Sequence, residues 1–239
     1  MVTLADHSLL VAIMVAWPLY AYLSYPRLMR ALREGRTEER LYAYWETMIV
    51  EWLGAIALLV MWWRLERSPV NIGLVPEALI AFGVSTVVGA ILIVLYTRQV
   101  AAVRAYSAAE IAKARHQFGK VIPFLPATQR ELRTFMALAV TAGVTEELLF
   151  RGFLYWYLAQ YMGLPFAVAV ATLWFGLAHS YQGTGGAARA GALGLLLGLV
   201  YLWTGSLYLS IVLHIAVDVV GGLIGFEVVR RSSPDMARA

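Results

Sequence analysis

Thr145-Glu146-Glu147-Leu148-Leu149-Phe150-Arg151 sets two adjacent carboxylates and a guanidinium inside a run otherwise built of Ala, Val, Leu, Phe, Tyr and Trp. A charged side chain at bilayer depth costs about 3 kcal/mol on insertion scales, so such groups face a partner or a wet cavity. On a helix Glu147 and Arg151 stand four apart and share a face. Glu146 points about 100° away from that face. The spacing predicts a Glu147–Arg151 ion pair and leaves Glu146 as a working carboxylate. A plainer reading, in which all three only hold helices together, stands beside it.

The surrounding composition makes the bilayer the relevant solvent. Of 239 residues, 61% are hydrophobic and 14% charged, with a mean hydropathy of +0.69; soluble domains carry about 25% charged residues. The absence of cysteine excludes disulfides, thiolate metal sites and a cysteine nucleophile. A membrane span needs about 20 apolar residues. Candidate spans run near Leu9–Tyr25, Tyr44–Trp63, Ala78–Thr97, Thr134–Tyr161, Pro165–Ser180, Ala187–Trp203 and Leu207–Val229, separated by Gly- and Pro-rich turns. The first follows an acidic flank with Asp6 and no small-residue cleavage site, so it reads as a retained helix and not as a signal peptide. The expected architecture is an all-α, polytopic transmembrane bundle of about seven helices. It divides into N-terminal helices with a basic loop (1–129), a core carrying the charged motifs (130–229) and a tail (230–239).

Charge placement orients this bundle. Arg27, Arg30, Arg33, Arg36 and Arg40 fall in the first connection. Arg98, Arg104, Lys113, Arg115, Lys120, Arg130 and Arg133 fall in the third, and Arg189, Arg230, Arg231 and Arg238 on the same side. Only Arg64 and Arg67 fall opposite. The positive-inside rule puts the N-terminus outside and the C-terminus in the cytoplasm, as expected of an integral plasma-membrane (inner-membrane) protein. The stretch from Arg98 to Arg133 mixes basic and apolar residues and reads as an interfacial helix ended by Pro123 and Pro126.

Further polar groups lie within the spans. Glu46 and Glu51 sit at headgroup level or pair with Arg151. Phe175 lies one turn before His179 and walls a pocket on that face. His214 and Asp218 stand four apart on one face, and each demands a partner in hydrocarbon. His7 and His116 read as surface residues. Glu146 lies about 20 Å past Arg133, and His214 roughly 12 Å in from the outer turn, at 1.5 Å per residue. Both fall near mid-membrane, whereas His179 sits nearer the cytoplasmic end. A cavity open to the cytoplasm accommodates all three. Gly191, Gly194 and Gly198 allow close helix approach.

Glu146-Glu147-x-x-x-Arg151, Phe175-x-x-x-His179 and His214-x-x-x-Asp218, in this order, resemble the CPBP family: CAAX-processing type II endopeptidases, Abi proteins and bacteriocin-immunity relatives. The resemblance covers about residues 130–225. It implies an intramembrane endopeptidase that hydrolyses a peptide bond of a membrane-associated or prenyl-CAAX-like substrate. Lacking cysteine and Gly-x-Ser-x-Gly, such an enzyme uses water as nucleophile, activated by Glu146 with His179, while His214 and residue 218 face the carbonyl oxygen. Eukaryotic and archaeal CAAX enzymes typically have Asn at the last position. Asp218 must therefore be protonated or, as adopted here, orient His214 through a ring N–H. A zinc version would use Glu146, His179 and His214 as ligands with an open fourth position; no His-Glu-x-x-His is present, and the metal-free version is preferred. The implied partners are the lipid bilayer and a peptide or protein substrate, with no nucleic acid. A non-catalytic membrane adaptor is the alternative; a proton-coupled carrier finds no inverted repeat in its support.

Overall fold

Every apolar stretch of the chain becomes helix in the computed structural model, which describes residues 2–76 and 79–232. The start of the third candidate span at Ala78, and the tail beyond Ser232 with Arg238, lie outside the described residues. Helix α1 (Leu4–Val11) passes through a π-helical turn at Ala12–Ala16 into α2 (Trp17–Arg33), making one rod. There follow α3 (Glu38–Arg64), α4 (Leu79–Arg104) and the short α5 (Ala108–Phe118). Helix α6 (Gln129–Glu147) continues through a second π-helical turn, Leu148–Leu154, into α7 (Tyr155–Met162). Helices α8 (Leu164–Ala178), α9 (Thr184–Thr204) and α10 (Leu207–Arg231) complete the bundle. No strand occurs among the described residues.

Five of these helical stretches are long and apolar enough to cross a membrane: Leu4–Arg33, Glu38–Arg64, Phe82–Arg104, Thr184–Thr204 and Leu207–Arg231. Helix α8 is apolar but shorter. The α6–α7 stretch carries Glu131, Arg133, Glu146, Glu147 and Arg151 within it, which accounts for its weaker apolar signal. The helices outrun the apolar segments that predicted them. Arg27, Arg30 and Arg33 lie on the last turns of α2 and not in a loop. Long basic side chains extend a span this way because their stems lie along apolar surface while their heads reach water, and cations favour a helix C-terminus.

Capping fixes the other ends. Ser107 and Glu110 form a capping box that starts α5, and Thr128 and Glu131 form another that starts α6. Glu131 also takes a 2.6 Å ion pair from Arg40 at the start of α3. Arg40 Nε donates to the Pro123 carbonyl, tying α3, α6 and the connecting segment at the basic end. At the opposite end Arg67 donates two 2.7 Å hydrogen bonds to the fully buried Asp6, with its guanidinium over Trp62 and Trp156. Asp6, expected only as an acidic flank, is therefore an anchor.

Helix α4 shows an outer face of exposed Val84, Val87, Ile91, Leu92, Val94 and Leu95, as a lipid-facing helix does. Inside, α6 lies against both α3 and α10. It approaches α10 closely at Gly143, where a Cβ would stand 2.4 Å from Ile215 Cγ1 and 3.0 Å from its backbone nitrogen. Gly143→Ala must push α6 from α10, and overpacking of this kind costs about 1–3 kcal/mol. We expect a lower thermal midpoint in detergent for Gly143→Ala, while Gly221→Ala, with nothing within 4 Å of its Cβ position, unfolds like the wild type.

Candidate active site

Helix α6 delivers Glu146 and Glu147 at its last turn, and the π-helical turn that follows holds Arg151. Such wide turns recur at functional sites because they re-aim the side chains beside them. Arg151 Nη1 donates to Glu147 Oε1 at 2.7 Å, and its Nη2 donates to the Gly194 carbonyl of α9 at 2.9 Å. The guanidinium carbon lies 4.6 Å from the centre of the Phe175 ring on α8. A Cβ at residue 194 would stand 3.0 Å from Phe175 and 3.2 Å from Arg151, so glycine there leaves room for the cation. The expected Glu147–Arg151 pair is present and buried. Arg151 pairs with neither Glu46 nor Glu51, contrary to one expectation, because its donors are already directed to Glu147 and Gly194. Glu46 instead accepts from the Tyr20 hydroxyl of α2.

Glu147 Oε1 makes a second contact, to His214 Nδ1 at 2.8 Å. A carboxylate oxygen accepts, so this contact puts the proton on Nδ1 and leaves Nε2 facing elsewhere. Nε2 stands 3.9 Å from Glu146 Oε2 and 3.6 Å from Asp218 Oδ2. Both gaps exceed a direct hydrogen bond and are of the size a third oxygen bridges. Asp218 was expected to orient His214 through a ring N–H; the structure gives that contact to Glu147. Four-residue spacing put Asp218 on the right face, but a carboxylate from another helix comes closer.

His179 caps α8 and contacts the Phe175 carbonyl through Nδ1 at 2.8 Å, which requires an Nδ1–H and leaves Nε2 as its basic nitrogen. Its ring lies 4.7 Å from that of Phe175, whose other neighbours include His214 at 6.2 Å and Phe150 at 5.0 Å between centroids. Glu146, Phe175, His179, His214 and Asp218 all line one cavity of about 810 Å³. It reaches the surface at the basic end, past Arg27, Arg36 and Glu39. Side-chain exposure rises from 0% for Glu147 through 12% for Glu146 to 33% for Asp218. Glu147 therefore works in the dry wall, and Glu146 and Asp218 at the wet face.

Two residues of the wall had no motif to mark them. Glu51 of α3 lines the cavity though only 1% exposed, with Oε2 3.0 Å from Thr145 Oγ1. Tyr181 stands 6.0 Å from His179, ring to ring. An acidic residue on an apolar helix was the available signal for Glu51; it carried no partner in sequence.

The zinc version needs Glu146, His179 and His214 to present donors to one point. Among the described residues no group of three or more His, Asp and Glu side chains gathers as a metal would require. The donor set does not fit a resident zinc, and no step below is routed through one.

Fold and site together define a helical membrane protein with a charged chamber among its helices that opens to the surface. Residues 128–220 match the family model described as type II CAAX prenyl endopeptidase Rce1-like. Over that segment the chain is similar to this protease family, and all six residues of the three motifs fall inside it. No curated protein and no solved structure gives a significant match.

Removing one partner of a buried ion pair leaves an uncompensated charge and costs about 3–5 kcal/mol. Arg151→Met is thus expected to lower the unfolding free energy in detergent by that amount. Arg151→Lys recovers little of it, since one ammonium cannot reproduce the planar fork that meets Glu147 and Gly194 together.

Proposed function

We propose that this protein is an intramembrane endopeptidase that hydrolyses a peptide bond with a water activated by Glu146. The observation that carries the reading is the meeting of His214 Nε2, Glu146 and Asp218 across gaps of 3.6–3.9 Å in one cavity, in the segment that matches a CAAX endopeptidase family.

Amide hydrolysis needs a base for water, donors for the oxyanion and a proton for the departing nitrogen. Glu146 is the base, assisted by the free nitrogen of His179. Its oxygen Oε2 is buried with no hydrogen-bond partner among the described residues, so an incoming water supplies the first. His214 is held at Nδ1 by Glu147, and in its protonated form it donates from Nε2 to the carbonyl oxygen as charge develops there. Asp218, the more exposed carboxyl, lies beside that oxygen and contributes a hydrogen bond when protonated. Glu147 and Arg151 hold the imidazole and keep its counter-charge fixed; they do not touch substrate in this scheme.

The cavity also suits a particular class of substrate. Trp17, Phe135, Phe150 and Phe175 give it apolar walls, and its mouth carries Arg27, Arg36 and Arg189. A volume of about 810 Å³ accepts several apolar side chains or one plus a lipid group. The substrate is a membrane-associated peptide, of the prenyl-CAAX kind or similar, entering from the basic end. All seven apolar helices cross the bilayer in this reading. The basic end faces the cytoplasm, which puts the N-terminus outside in a plasma-membrane protein.

Glu146→Gln removes the base while keeping shape. It should lower cleavage of a membrane peptide by a factor on the order of 10²–10⁴ while the thermal midpoint stays at the wild-type value. Proteolysis that survives this substitution contradicts the assignment. Mass spectrometry of membrane peptides from cells making each form reads both the loss and the substrate.

A further inference from the structure

Glu51 is a buried carboxyl in the wall of the same cavity, on a helix outside the family-matched segment, and the scheme above leaves it without a role. Its proton can be located by counting donors. Thr145 Oγ1 lies 2.8 Å from the Thr141 carbonyl and 3.0 Å from Glu51 Oε2. A hydroxyl has a single hydrogen, and a carbonyl oxygen can only accept. The shorter contact, the usual one from a helical threonine to the carbonyl four residues back, takes that hydrogen. The 3.0 Å contact to Glu51 is then a hydrogen bond only if the carboxyl supplies the proton. An ionised Glu51 would instead set its charge against a hydroxyl lone pair at a site 1% exposed.

Glu146 of α6 and Asp218 of α10 line the same cavity as Glu51, so its neighbours there include two further carboxyl groups. Of the described arginines on neighbouring helices, Arg151 is directed to Glu147 and Gly194, and Arg40 to Glu131 and Pro123. From α2, the Tyr20 hydroxyl is given to Glu46.

We infer that Glu51 is held as a neutral carboxylic acid by Thr145 and supplies the proton that the departing nitrogen takes when the peptide bond breaks. The proposal rests on the endopeptidase reading and adds the second carboxyl to it. The balance is as follows. Glu146 takes one proton from water as the water oxygen bonds to the carbonyl carbon. The C–N bond breaks with its electron pair on nitrogen, and nitrogen takes the proton of Glu51. The products are a carboxylic acid and an amine. The proton on Glu146 then passes to Glu51 through water in the cavity, restoring both groups, with one water consumed and no other reactant.

The test uses the full chain in lipid nanodiscs. Infrared spectra at neutral pH follow the C=O stretch of protonated carboxylic acids, beside cleavage kinetics and thermal unfolding. Glu51→Gln can still donate to Thr145 through its amide and should unfold with the wild type. It is expected to lose one protonated-carboxyl band, and kcat should fall on the order of 10²-fold with KM within about twofold. Should Glu51→Gln fail to fold, Thr145→Val reads the same proton: removing the acceptor moves that band to higher frequency. A band unchanged by either substitution, or an unchanged kcat in folded Glu51→Gln, overturns the assignment. Wild-type protein that shows the band but cleaves nothing overturns the catalytic half and with it the endopeptidase reading. Wild-type protein that cleaves without the band overturns the Glu51 assignment alone.

Discussion

One carboxylate oxygen joins the helices of this protein. Glu147 Oε1 accepts from Arg151 at 2.7 Å and meets His214 at 2.8 Å. Through Arg151 it reaches the α9 backbone at Gly194 and the face of Phe175 on α8. Within hydrocarbon, each of these groups would be costly alone. Together they satisfy most of one another's needs and fix the relative positions of α6, α8, α9 and α10. The orientation of His214 follows from this structural constraint, and its Nε2 is turned toward the cavity because Nδ1 is already occupied. The same contact that holds the bundle therefore aims the imidazole.

The two ends of the bundle are built differently. One is tied by Asp6 and Arg67, packed against Trp62 and Trp156, so the rod of α1 and α2 is anchored there. At the basic end α2 touches the rest through scattered contacts, such as the Tyr25 hydroxyl to the Lys120 carbonyl and the Tyr25–Tyr181 ring pair. The cavity lies between that rod and the inner helices and reaches the surface there. The N-terminal helices, which carry none of the family's motifs, thus supply one wall of the chamber, including Glu51 and Glu46.

Much of this was legible before the structure because membrane composition leaves few choices. Apolar runs become helices where backbone groups must be satisfied internally. Charges inside them mark a site for the same reason. Spacing along one helix predicted the Glu147–Arg151 pair correctly. It misassigned the partner of His214, because four-residue spacing reports faces within a helix and says nothing of what a neighbouring helix brings to that face. The role of Asp6 and the contact of Glu51 with Thr145 were hidden for that reason too: each joins residues far apart in sequence, with no local pattern between them. The π-helical turn around Arg151 has no composition signal that distinguishes it from ordinary helix. Helix ends were read too short where arginines continue a helix past its apolar run, as at Arg27–Arg33.

The account stands on a single water-filled chamber shared by side chains from four inner helices. Because the chain has no cysteine, single-cysteine variants in native membranes test this directly with a hydrophilic, membrane-impermeant thiol reagent applied from the basic side. Ala178→Cys, Leu193→Cys and Val217→Cys replace cavity-lining residues on α8, α9 and α10, whereas Val87→Cys replaces an exposed apolar residue on α4. The chamber predicts fast labelling of the first three and protection of the fourth. Protection of all four, at equal rates, would contradict it.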